Sequence, residues 1–134
     1  MVAIIRGSDQ ERYNPLGWEF WIPLPDGFLP GHGSVIVPFP KGAKAPYHRH
    51  PNAHVLIISL SGTAMGIVNG TNISVAPGDV VLIPPNTPHK WITTSDSPWI
   101  SFAIHRPPVY ETDEVLDFQS VSELGNSPHW HAES

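Results

Sequence analysis

The stretch "HVLIISLSGTAMGIVNGTNISVAPGDVVLIP", His54 to Pro84, decides the fold class. It holds four short runs rich in aliphatic and β-branched residues: His54 to Leu60, Thr63 to Val68, Asn72 to Ala76 and Val80 to Pro84. Turn signals separate them at Ser61-Gly62, Asn69-Gly70 and Pro77-Gly78-Asp79. Asn69-Gly70 is the sharpest of these, because both residues tolerate the positive φ of a two-residue type I′ hairpin. Short strands at even spacing, without a helical period, predict an all-β sandwich or barrel.

The pattern extends in both directions. "GWEFWIPL" (Gly17 to Leu24) and "GSVIVPF" (Gly33 to Phe39) precede the stretch, and "HKWITT" (His89 to Thr94) and "PWISFAIH" (Pro98 to His105) follow it. Sixteen prolines and eleven glycines argue against long helices. The sequence predicts one antiparallel β-barrel or sandwich with less than about a tenth of its residues helical. At 134 residues the chain is expected to be one domain, with a barrel core at about 17–108 and a tail at 109–134. The first half of the tail is expected to cover an edge of the barrel or a neighbouring subunit. A short helical turn is expected around Val121 to Leu124, and mobility in the last ten residues.

Composition removes several classes of function. With no cysteine there is no disulfide, thiolate metal site or cysteine nucleophile. The net charge is −5 with only seven Lys and Arg residues, so nucleic acid is not an expected partner. No apolar run approaches the ~18 residues of a membrane span, and the N-terminus lacks the apolar core of a signal peptide. A cytoplasmic protein is expected. The apolar residues of "GWEFWIPL" and of Val115 to Phe118 exceed what a small barrel is expected to bury alone, which predicts a homodimer.

Three of the eight histidines, His48, His50 and His54, fall within seven residues in "YHRHPNAH". Side chains alternate along a strand, so His48 and His50 share a face with Cα atoms about 6.6 Å apart. His54 has the same parity, and the intervening "PNA" suggests a bend that swings it back towards the pair. His89 opens another strand after "PPNTP". Neutral imidazole is the commonest metal ligand. His32, His105, His129 and His131 read as ordinary surface or core histidines. By parity, Trp91 and Thr93 share a face with His89, and Leu56 shares one with His54, so Leu56, Trp91 and Thr93 are expected to line a pocket.

The frame around these histidines is specific. From Gly42 it reads G-x5-H-x-H-x3-H, with Gly62 after the apolar strand. From Gly78, "GDVVLIPPNTPHKWIT" reads G-x5-P-x-N-x2-H-x3-T. The pair closely resembles the two motifs of the cupin superfamily, G-x5-H-x-H-x3or4-E-x6-G and G-x5-P-x-G-x2-H-x3-N. The resemblance implies a cupin barrel of the jelly-roll type. It also implies one divalent ion per chain, of iron, manganese, zinc, nickel or copper, held by His48, His50 and His89. The family's glutamate is absent: the x3 spacing places His54 there and the x4 spacing Val55. A four-histidine site with His54 is the expected form, and a three-histidine site with Val55 the alternative. Asn86 replaces a motif glycine and Thr93 an asparagine.

A metal held by neutral imidazoles keeps its full charge and acts as a strong Lewis acid. The resemblance implies a metal-dependent enzyme acting on a small, hydrophobic, oxygenated molecule. Dioxygenase-like oxidation is the first expectation. Metal-assisted cyclisation or isomerisation of the polyketide-cyclase type is the second, and a small-molecule binding module without turnover the third.

Overall fold

The computed structural model describes residues 2–121. Eleven strands follow in chain order: β1 (Gly33–Phe39), β2 (His48–Arg49), β3 (His54–Ser61), β4 (Ala64–Val68), β5 (Thr71–Val75), β6 (Val80–Ile83), β7 (His89–Thr93), β8 (Trp99–Arg106), β9 (Tyr110–Glu111), β10 (Glu114–Val115) and β11 (Gln119–Ser120). A three-residue 3-10 turn at Gly7–Asp9 is the one helical element among the described residues. Pairing is antiparallel throughout. One sheet runs β1-β8-β3-β6, another β11-β2-β7-β4-β5, and β9 and β10 form a small ribbon. The sheets share a core that takes Val35, Val55, Ile57 and Trp99 from the first and Ala64 and Val75 from the second. The fold is the all-β antiparallel barrel that the strand and turn spacing predicts.

Local chemistry explains the corners. The β4–β5 hairpin closes through Val68 opposite Thr71. Its loop residues Asn69 and Gly70 have φ of 49° and 80°, the left-handed conformations a type I′ turn requires. Gly62, between β3 and β4, also has positive φ, and a Cβ there would lie 2.5 Å from the Pro98 carbonyl oxygen. That close approach packs the β3–β4 turn against the entry to β8.

Alternation along β3 sorts its residues. Val55, Ile57 and Ser59 are buried, while His54 and Leu60 are exposed. The buried Ser59 hydroxyl accepts a hydrogen bond from Trp99 Nε1 at 2.9 Å, so it costs the core no unpaired polar group.

"GWEFWIPL" departs from expectation. It forms no strand, only isolated bridges that pair Phe20 with Tyr13 and Trp21 with Ile36. Trp18 and Phe20 are nonetheless buried in the chain's own core, against Phe39 and Tyr110 respectively. These residues therefore need no second copy to cover them. The segment after β8 joins the fold as well: β11 pairs with β2, and Val121 is fully buried with Tyr47 and Ile67 in a second small cluster. The helical turn expected at Val121 to Leu124 begins at the last described residue and otherwise lies outside the described residues, as do the last ten.

Candidate metal centre

β2 and β7 are neighbours, and His48 faces His89 directly across them. His50 follows two residues after His48 on the same face. The ring centroids of His48 and His89 are 4.4 Å apart, those of His48 and His50 5.1 Å, and those of His50 and His89 5.2 Å. One ring nitrogen from each lies within 4.8 Å of the others. The loops that carry them are tied together, because the Asn86 amide donates to the His50 carbonyl at 2.8 Å. Asn86 takes φ of 66°, the conformation a glycine would supply at that motif position.

The hydrogen bonds fix the tautomers. Nδ1 of His48 meets the Pro46 carbonyl at 2.7 Å, Nδ1 of His50 the Asp117 carbonyl at 2.7 Å, and Nδ1 of His89 the Thr87 carbonyl at 2.9 Å. A carbonyl only accepts, so each Nδ1 carries the proton. Each Nε2 is left with a free lone pair, which is the arrangement seen where a backbone carbonyl orients a metal-ligating histidine. Burial keeps the rings uncharged. His48 is held well below the usual histidine range by desolvation and then by the neighbouring His89 and His50. His50 is lowered by desolvation, against the partial opposition of Asp117. His89 is lowered to about 4, again mainly by burial. Three neutral, oriented imidazoles form a donor set that fits a divalent ion such as zinc, iron, nickel or copper.

The site residues expected from sequence separate into two groups. His48, His50 and His89 come together. His54 does not join them: it is exposed, at the start of β3 opposite Arg106. Strand parity would have kept it with His48 and His50, but the chain bends at Pro51 and Asn52 and passes from one sheet into the other. That passage reverses which residues face inward, and Val55 takes the place beside the cluster. Leu56 goes outward with His54 and pairs with Leu82, itself 71% exposed. Trp91 does line the cavity, with its ring lying over Gly66, where a Cβ would be 2.4 Å from Cζ3. Thr93 is buried, but its hydroxyl is spent on the Phe39 carbonyl at 2.7 Å.

The cavity beside the cluster has a volume of about 90 Å³. Val35, Phe39, Ile57, Trp91 and Trp99 make its apolar wall, and among the described residues no carboxylate lines it. Three contributors lie outside the residues expected from sequence. His105, read there as an ordinary histidine, is buried and lines this cavity. Phe118 stacks on the His48 ring at 4.4 Å and 15°. Asp117 accepts hydrogen bonds from the Asn52 and Ala53 amides and the Asn52 side chain, which pins the loop after His50. His105 is the penultimate residue of β8, where alternation with Trp99 and Ala103 was the available signal. Asp117 and Phe118 lie in a segment without pattern and gave none.

Comparison with known proteins agrees with this architecture. The family model described as the cupin domain matches residues 35–105, and the chain belongs to that family. An uncharacterized protein of Methanocaldococcus jannaschii is 29% identical over 79 residues, which are 58% of this chain and 63% of that protein. The match thus spans less than two thirds of that relative's length. Among solved structures, Pac13, a nucleoside dehydratase, superposes with a TM-score of 0.66 at 18% identity, covering 92% of this chain and 98% of that one. KdgF from Halomonas gives 0.68 at 18% identity, over 78% and 94%. A sugar phosphate isomerase of the cupin superfamily from Silicibacter pomeroyi gives 0.70 at 15% identity, over 88% and 92%. At these identities the likeness is one of fold.

Proposed function

We propose that this cupin is a metal-dependent enzyme that performs non-redox chemistry on a small oxygenated organic molecule. The observation that carries the reading is the commitment of all three Nδ1 atoms to backbone carbonyls, which leaves Nε2 of each ring as its neutral donor, in three rings that converge on the lining of a largely apolar cavity. His48, His50 and His89 would hold the ion. An ion bound there supplies Lewis-acid polarisation of a substrate oxygen, and with no carboxylate in the donor set its charge is undiminished. The chain's own residues do the rest. Trp91, Trp99 and Phe39 exclude water, which strengthens every electrostatic contact in the cavity. The small volume restricts the substrate to a compact molecule. Pac13 and the sugar phosphate isomerase carry a dehydratase and an isomerase activity on the same barrel, both without net oxidation.

The test begins with protein purified without a histidine tag and analysed for metal. It is then loaded with zinc and assayed without oxygen against small hydroxy acids, keto acids and β-diketones. Zinc-supported turnover under those conditions is expected. Turnover that requires both iron and oxygen would replace this reading with the dioxygenase-like one. Full metal loading without turnover under either condition would leave a binding module.

A further inference from the structure

The cavity contains a polar group that the three-histidine cluster leaves unused. His105 stands on β8, 4% exposed, between Gly33 of β1 and Val55 of β3. Its ring centroid is 6.3 Å from that of His50 and 5.9 Å from that of Tyr110. It lies outside the convergent set of ring nitrogens. Each of the other three histidines in the cavity has its Nδ1 satisfied by a carbonyl. Nδ1 of His105 is buried with no hydrogen-bond partner among the described residues.

A buried polar atom without a partner bears its full desolvation cost, and native proteins rarely leave one unexplained. Its strand partners Gly33 and Val55 have no polar side chain to offer His105. The free nitrogen belongs to a side chain that lines the same cavity as the cluster. A ligand placed there would meet the three histidines and His105, with Ser101 and Tyr110 also on the lining.

We propose that His105 anchors the ligand of this cavity, with Nδ1 hydrogen-bonded to a polar atom of a small hydroxy- or keto-acid seated against His48, His50 and His89. The size follows from the volume. A volume of about 90 Å³ suits a compact ligand. The chemical class follows from the histidines: oxygen atoms for the histidine centre, and a further oxygen within reach of His105. This inference rests on the metal-dependent reading above, and its test separates the two.

The probe is glycolate, titrated into cobalt-loaded protein and followed by the cobalt visible spectrum. Cobalt content reads the three-histidine centre, and glycolate affinity reads His105. His105→Phe is expected to keep the cobalt content of the wild type and to weaken glycolate binding by about tenfold, the value of one hydrogen bond. His105→Gln, which retains a polar head, is expected to recover part of the loss. If His105→Phe does not fold, His105→Leu takes its place. Equal glycolate affinity in the apolar variant and the wild type would overturn the proposal. So would a cobalt-loaded wild type that shows no response to glycolate. A wild type that takes up no cobalt would instead overturn the metal-dependent reading, and this inference would fall with it.

Discussion

Nδ1 of His50 donates to the backbone carbonyl of Asp117 at 2.7 Å, across 67 positions of sequence. The same residue's carboxylate accepts from the amides of Asn52 and Ala53, at 3.0 and 2.8 Å. One residue beyond the last long strand therefore fixes both the tautomer of a cluster histidine and the loop that follows it. The buried Ala53 amide depends on it.

Replacing Asp117 by alanine is expected to strand that amide and destabilise the protein by ~1–3 kcal/mol. Zinc affinity is expected to change less than stability does, because the backbone carbonyl that orients His50 stays in place and only the pinned loop is loosened. Asp117→Asn keeps one acceptor oxygen and is expected to fall between. Urea denaturation and competition with a chromogenic chelator measure the two effects, and an Asp117→Ala protein with wild-type stability would contradict the assignment.

Metal content should distinguish His54 from the cluster. His48→Ala, His50→Ala and His89→Ala each remove one of three converging nitrogens and are expected to lose most bound metal. His54→Ala alters an exposed side chain and is expected to bind as the wild type does. Elemental analysis of the four variants decides it. Metal retained in all of the first three would end the metal reading.

Acid should weaken the metal-free protein. Burial holds His89 at about 4 and His105 at about 3, and lowers His48 and His50 as well. In the unfolded chain all four return to about 6.5. Between those values the unfolded chain binds more protons, so stability falls as pH falls. The contribution is fully present above about pH 6.5 and is lost progressively towards about pH 4, where His89 titrates in the folded state. Thermal midpoints of the metal-free protein are expected to drop across that window. A midpoint that is flat there, or rises on acidification, would contradict the buried neutral rings.

Gly66 holds space for the cavity wall. Its strand partner is Trp91, and a Cβ would sit 2.4 Å from that ring. Gly66→Ala is expected to cost ~1–3 kcal/mol through overpacking and to displace Trp91. Denaturant unfolding and the tryptophan emission spectrum report on the two, and an Ala variant with unchanged stability and emission would show that the ring moves without cost.

Local chemistry placed much of this protein. The strand runs, the Asn69-Gly70 turn and the left-handed Asn86 follow from residue type, because each depends on φ preferences or on alternation within a few residues. His48 and His50 share a face for the same reason, and His89 was marked by the spacing of its motif. What the sequence left open is where the chain changes sheets. His54 and Val55 are adjacent, and parity counted from His50 favours His54. The bend at Pro51 and Asn52 restarts the alternation, so that Val55 faces the cluster and His54 the outside. His105 and Asp117 were settled at the same level. They reach His50 from 55 and 67 positions away, through the pairing of β8 with β3 and of β11 with β2. Periodicity within a strand says which residues share a face. Only the register between strands says which cavity that face encloses, and register is fixed by the whole core closing at once.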